Sequence, residues 1–146
     1  NNIICNIDRI KEADPTMTDK EYREWKSEAY CWRAWNLFQM SQLWGDIPLV
    51  NTIPPAITAE NIEEVYDAYF PGRTPRADIY AQIIEELEFA CENAPDMDPG
   101  NKHLFTKAFA HGMLARVYAE ATAQDWNKVA QHCAAVEGMG YKLGDD

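Results

Sequence analysis

Side chains that commonly catalyse reactions or bind metals are sparse in this sequence, and their spacing matches no such site. No H-E-x-x-H pair or other metal-binding spacing joins the three histidines, His103, His111 and His132. No C-x-x-C pair, as in zinc knuckles and thioredoxin-type sites, occurs among the four cysteines, Cys5, Cys31, Cys91 and Cys133. An EF-hand starting at Asp96 is rejected, because its twelfth position is Lys107 rather than a bidentate glutamate. The sequence therefore predicts no catalytic residue, metal or cofactor.

The cysteines are better explained by packing than by chemistry. All four fall inside helical patterns, mostly beside apolar positions, which predicts free, buried thiols that behave like small apolar side chains. The alternative is a disulfide framework, but a chain of 146 residues can build a core without such cross-links.

Aromatic rings near loops are the best candidates for ligand contact, since flat rings can stack on sugars. A connection of some thirty residues, 45–74, contains several of them and also Arg73. Long excursions in a compact helical array tend to be functional, and a guanidinium suits hydroxyls or a carboxylate. The aromatic candidates are Trp44, Tyr66, Tyr69 and Phe70. We predict ligand contacts at Trp44, Tyr69, Phe70 and Arg73.

A structural alternative exists for the same excursion. Helical spacing relates four of its residues, Ile62, Val65, Tyr66 and Tyr69. Such spacing predicts a short helix over 59–70, capped by Thr58, whose apolar face would only attach it to the rest of the fold.

Apolar periodicity predicts helices along the whole chain and no convincing β-sheet. Helix starts are marked by a capping box at Thr18 and Glu21, by Thr74 as N-cap before Pro75, and by Asp125. The predicted helices are 1–12, 19–44, 59–70, 75–93, 106–121 and 126–137. The fold class is therefore all-α, in antiparallel helix pairs. The last pair is similar to a tetratricopeptide repeat, with matching residues at Leu114, Ala115, Tyr118 and Trp126.

The predicted helix 19–44 carries four of the five tryptophans. Trp25, Trp32 and Trp35 stand at helical spacing, which predicts core packing. Arg33 lies among them, so its guanidinium should be partly buried and needs an acceptor. Glu28 is five residues away, a poor pairing distance on a helix, so Asp46 or a carbonyl at the helix end is as good a candidate for the partner of Arg33. Acidic residues of the helix 75–93 are assigned to its solvated side: Asp78, Glu85, Glu86, Glu88 and Glu92.

The charge balance excludes two classes of partner. Thirteen basic against twenty-four acidic residues give a net charge of −11, which argues against nucleic acid and anionic lipid surfaces. The longest uncharged helical stretch, 34–45, is shorter than the roughly 20 apolar residues of a membrane span. We expect residues 1–146 to be a single helical segment, truncated at both ends, of a longer protein whose targeting signal or anchor lies outside it.

Three segments resemble the SusD/RagB-like outer-membrane nutrient-binding proteins of Bacteroidetes. The first joins E-A-x-x-x-R-A-x-x-x-F at 28–38 to L-W-G-D-I-P-L-V at 43–50, where Trp44 replaces the usual Tyr. The second is 79–90, similar to Y-x-x-I-I-x-D-L-x-x-A. The third comprises 115–118, 125–126 and 140–143. The resemblance marks a structural motif consisting of Glu28, Arg33, Gly45, Asp46 and Pro48.

The resemblance implies a function that the composition alone does not. It implies non-catalytic binding of a glycan or other nutrient by a lipid-anchored protein at the cell surface, with delivery to a SusC-like TonB-dependent transporter. It also implies that this chain is the first helical part of a larger fold. The alternative is a tetratricopeptide-like scaffold that binds another protein in its concave groove. The joined motif at 28–50 favours the first hypothesis, because ordinary tetratricopeptide repeats lack it.

Overall fold

The computed structural model describes residues 1–98, 100–101 and 103–141 of the chain; Lys142 and Leu143 of the third motif lie outside them. Within this part all regular elements are helical, apart from one isolated β-bridge. The helices are α1 (Asn2–Ala13), α2 (Asp19–Trp44), α3 (Tyr66–Tyr69), α4 (Arg76–Asn93), α5 (Lys107–Ala119) and α6 (Trp126–Gly138). The prediction of an all-α chain is confirmed.

The long helices form antiparallel neighbours in the order α1, α2, α4, α5, α6. Residue pairs across each interface show the direction. Between α2 and α4, Tyr30 contacts Phe89 near one end, while Gln42 donates a hydrogen bond to Tyr80 near the other. The end of α5 lies next to the start of α6, because the backbone N–H of Asp125, the N-cap of α6, donates to the carbonyl of Tyr118 at 2.9 Å. The predicted antiparallel helix pairs are therefore present.

The core lies where α2, α4 and α5 meet. Helix α2 begins at the predicted capping box, since the Thr18 hydroxyl accepts from the Glu21 backbone N–H while the Glu21 carboxylate accepts from that of Thr18. Burying the apolar stripes of three helices in one cluster supplies most of the stabilisation. Its largest fully buried members include Tyr80, Ile79, Ile83, Leu87, Leu114 and Val117.

The tryptophans contradict the prediction that they pack in the core. Trp25, Trp32 and Trp35 are 50%, 51% and 37% exposed, whereas the smaller Cys31 and Ala34 beside them are fully buried. A long helix with apolar residues nearly all round cannot bury every side when its neighbours leave part of it uncovered. Cys31 and Ala34 therefore face the core, whereas Trp25 and Trp32 lie beside α1 and remain about half exposed.

The cysteine prediction is partly wrong. All four thiols are free, and Cys31 is buried, but Cys5 and Cys133 are exposed and Cys91 is only partly buried. Burial raises the pKa of the Cys31 thiol to about 12. None of the described helices is both long and apolar enough to cross a bilayer.

Candidate functional site

The excursion between α2 and α4 is closed at its base by the G-D-I-P motif. Gly45 ends α2 with φ +70° and ψ −119°, a conformation that favours glycine. Ile47 then enters the core, being 3% exposed, and forms an antiparallel bridge with Thr74, whose backbone N–H donates to the Ile47 carbonyl at 2.9 Å. The two ends of the segment 48–73 are thus held together, while Pro48 is exposed.

Asp46 caps α4 from thirty residues away. Its Oδ1 accepts a hydrogen bond from the backbone N–H of Arg76 at 2.9 Å. The predicted cap, Thr74, lies one residue too early, because Pro75 is the N-cap and has no side-chain acceptor of its own. Asp46 was a candidate acceptor for Arg33, but in the structure it accepts from the Arg76 backbone instead. Its negative charge lies at the positive end of the α4 dipole.

Replacing Asp46 with alanine should lower the free energy of unfolding by about 0.5–2 kcal/mol, the usual loss for a helix cap. Asp46→Asn keeps the Oδ1 acceptor and should cost only a fraction of that. Urea unfolding followed by circular dichroism measures both. Equal stabilities of the alanine and wild-type proteins would show that the hydrogen bond to Arg76 contributes nothing.

The aromatic residues of the excursion face solvent rather than the core. Only Tyr66–Tyr69 is helical, since residues 59–65 form turns, so the predicted helix 59–70 is mostly wrong. Of the four residues predicted to form an apolar stripe, only Val65 is buried, and Ile62, Tyr66 and Tyr69 are exposed. Too few helical turns form to aim these side chains at one common face.

The exposed rings are nevertheless ordered by local contacts. Tyr66 and Phe70 stack with ring centroids 4.7 Å apart and planes inclined by 29°. Tyr69 donates a hydrogen bond from its hydroxyl to the Pro55 carbonyl at 2.6 Å, which ties the two arms of the excursion together. Phe70 is the most exposed of these rings, at 67%.

The other two predicted ligand residues are also accessible. Arg73 is exposed two residues before Pro75. Trp44 is the last residue of α2 and is 62% exposed. The bridge between Ile47 and Thr74 brings the segments that follow Trp44 and Arg73 side by side.

Arg33 forms a buried ion pair with Glu86. The Arg33 Nε donates to Glu86 Oε1 at 2.9 Å, and Nη2 contacts the same oxygen. The two side chains are 15% and 4% exposed. Burial raises the pKa of the Glu86 carboxyl, and the bonds from Arg33 and Gln82 oppose that shift. Glu86 is therefore the acceptor for Arg33, and its assignment to the solvated side of the helix was wrong.

A polar cleft of about 570 Å³ surrounds this pair. On its floor the side-chain amides of Asn51 and Gln82 exchange two hydrogen bonds of 2.8 Å, and Gln82 also donates to Glu86. The pair thereby joins α2, α4 and the start of the excursion. Glu28 does not belong to this network; it lies on another surface of α2, among Trp25, Trp32 and the apolar residues of α1.

The burial of Glu86 was not predicted, although the sequence contains a signal for it. Glu86 falls between Ile83 and Ala90, at spacings of three and four residues, and thus on the buried stripe of α4. An acidic residue at such a position requires a cationic partner. Arg33, a cation among apolar residues of α2, was the corresponding signal for the other member of the ion pair.

Comparison with known proteins agrees with this architecture. A SusD-like family model, described as starch-binding associating with outer membrane, matches residues 2–119. SusD-like protein P2 of Formosa agariphila is 32% identical over 110 residues, which cover 75% of this chain and 20% of that protein. The chain thus spans about one fifth of this relative's length.

Two solved structures share the fold. A SusD-like protein from Bacteroides fragilis superposes with a TM-score of 0.71 at 24% identity, over 96% of this chain and 26% of that one. A SusD-like carbohydrate binding protein from Bacteroides vulgatus gives a TM-score of 0.71 at 20% identity, over 99% and 29%. The family model covers most of the chain, and the helices superpose on those of its members. The chain belongs to the SusD-like family.

Proposed function

We propose that this chain is the helical part of a larger protein that captures a glycan at the surface of the outer membrane. The larger protein would bind without catalysis and deliver its ligand to a SusC-like TonB-dependent transporter. Its attachment would be a lipid anchor outside this chain. The observation that supports a ligand role for this part is the ordered, solvent-facing Tyr66–Phe70 pair on the closed excursion.

The proposed binding surface consists of Trp44, Tyr69, Phe70 and Arg73, the surface that the sequence predicts. Phe70 offers a ring face to sugar C–H groups, and stacking on Tyr66 fixes its orientation before a ligand arrives. An orientation fixed in advance reduces the entropy lost on binding. Arg73 can donate several hydrogen bonds to hydroxyls or a carboxylate, and Trp44 adds a second large ring.

A glycan-panel titration of the intact parent protein tests this surface. We expect Phe70→Ala to weaken binding of the recognised glycan roughly two- to tenfold, the equivalent of a single aromatic contact. Arg73→Ala should weaken it by a similar factor, and more for an acidic glycan. Isothermal calorimetry measures both.

Two substitutions elsewhere serve as matched controls. Trp126→Ala removes an equally exposed ring on α6, and Arg23→Ala removes an exposed guanidinium on α2. Neither should change affinity. If folded Phe70→Ala and Arg73→Ala proteins bind the glycan as the wild type does, the excursion is not the binding surface.

A tetratricopeptide-like scaffold for another protein is the second candidate, supported by an apolar furrow along α5 and α6. A Cβ placed on Gly112 would meet nothing within 4 Å, so the small residues of α5 leave open space there. The furrow is lined by Gly112, Ala115, Ala119, Val129, Cys133 and Val136. A parent protein that binds no glycan of the panel, and whose protein partner is lost on Ala115→Glu, would support this candidate instead.

A further inference from the structure

Three side chains with metal-binding atoms meet where α4, α5 and α6 pack together. Cys91 lies on α4, His111 on α5 and His132 on α6, and one ligand atom from each, the Cys91 sulfur and one ring nitrogen of each histidine, lies within 4.8 Å of the other two. Each residue comes from a different helix, which is why no short sequence spacing indicates them.

The two histidines share a single hydrogen bond. Their Nδ1 atoms are 2.8 Å apart, so the lone pair of one ring faces the proton of the other. His132 is 7% exposed, and its Nε2 is buried without a hydrogen-bond partner among the described residues. Burial lowers the pKa of both imidazoles, with the proximity of His111 adding to the effect at His132. Neutral imidazole is the form that binds metals.

Acidic side chains lie near Cys91, and the cation Lys128 acts on His132 from α6. Burial raises the pKa of the Cys91 thiol to about 12, and the charges of Glu88 and Glu92, nearby on the same helix, add to the shift. Their negative potential disfavours a free thiolate but attracts a divalent ion. Tyr118 stacks on the ring of His132, with planes inclined by 7°, which fixes the orientation of that imidazole.

We propose that Cys91, His111 and His132 form a three-ligand site for a zinc-class ion that cross-links α4, α5 and α6. One thiolate and two imidazoles are ligands for borderline metals such as Zn²⁺, not for Mg²⁺ or Ca²⁺. The fourth position is left to water or to another ligand.

Metal binding requires the three side chains to adjust, since their ligand atoms lie within 4.8 Å of one another rather than at tetrahedral spacing. Bond lengths of about 2.0–2.1 Å to nitrogen and 2.3 Å to sulfur place tetrahedral ligand atoms roughly 3.3–3.6 Å apart. The two imidazole nitrogens, now 2.8 Å apart, must therefore separate slightly. On binding, the Cys91 thiol loses its proton to solvent. The hydrogen bond between the rings breaks, and each neutral imidazole offers the lone pair of one ring nitrogen to the metal and keeps its proton on the other.

Cobalt is the probe for this site, because a Co²⁺–thiolate bond produces a near-ultraviolet charge-transfer band. Titration of the metal-free protein with Co²⁺ should produce that band, saturating at one equivalent, and Zn²⁺ should displace it. X-ray absorption of the wild-type zinc complex should show one sulfur and two imidazole neighbours. This measurement does not depend on any variant folding.

Cysteine variants locate the ligand. Cys91→Ser should abolish the band and weaken Zn²⁺ binding by at least the roughly 10–100-fold that follows loss of an outer-shell partner. Cys133→Ser, which changes an exposed thiol next to His132, should leave both unchanged. A wild-type protein without a stoichiometric band, or a band that persists in folded Cys91→Ser, overturns the proposal.

Discussion

Replacing Arg33 with methionine should lower the free energy of unfolding by about 3–5 kcal/mol, because it leaves the Glu86 carboxylate buried without its cation. Glu86 is 4% exposed, and one of its oxygens, Oε2, already lacks a hydrogen-bond partner. Methionine keeps much of the length and apolar stem of arginine, so the loss reports the charge and its hydrogen bonds. Urea unfolding at neutral pH, followed by circular dichroism, measures it.

Two further variants separate the ion pair from general effects. Arg23→Met, an exposed site on the same helix, should change stability by no more than about 0.5 kcal/mol. Arg33→Met combined with Glu86→Leu removes both charges and should recover most of the loss. If the Arg33→Met protein is as stable as the Arg23→Met protein, the pair does not stabilise this fold.

The Arg33→Met deficit should also depend on pH. Without the cation, the folded-state pKa of Glu86 lies further above that of the unfolded chain, because the opposing effect of Arg33 is lost while burial and the charge of Glu85 still raise it. A raised folded-state pKa means that the folded protein binds this proton more tightly. The deficit should therefore be fully present above the folded-state pKa of Glu86 in the variant, and it should shrink as pH falls through that pKa.

Leu87→Ala should cost about 2–5 kcal/mol, since Leu87 is fully buried at the centre of the core and its truncation leaves a cavity. Leu43→Ala is the matched control: it makes the same chemical change on α2 at a side chain that is 71% exposed. Thermal unfolding by circular dichroism should separate the two by many degrees. Similar melting temperatures would mean that the three-helix core does not limit stability.

Features set by local sequence were predictable from the residues alone. Helix α2 runs from Asp19 to Trp44, as predicted, because a capping box and a glycine mark its two ends within a few residues of the helix. Asp125 likewise caps α6 through its own neighbours, Asn127 and Lys128. Such signals act over one helical turn and need no knowledge of the tertiary structure.

Features that depend on packing were not predictable in the same way. The cap on α4 comes from Asp46, across the whole excursion, and the acceptor for Arg33 comes from another helix. The core side of α2 was misassigned because hydrophobicity alone cannot show which apolar face a neighbour covers. For the excursion, the predicted ligand residues are accessible, and their role remains a prediction.

The exposure of the indole rings determines what tryptophan fluorescence can report on this protein. All five tryptophans are at least 37% exposed, including Trp126 on α6. Because these rings contact water in the folded protein, we expect unfolding to shift their emission little. A blue shift or protection from a soluble quencher would instead signal that another molecule has covered the surface. Intrinsic fluorescence is therefore a probe of docking here, with Trp44 in the proposed glycan surface and Trp25, Trp32 and Trp35 elsewhere on α2.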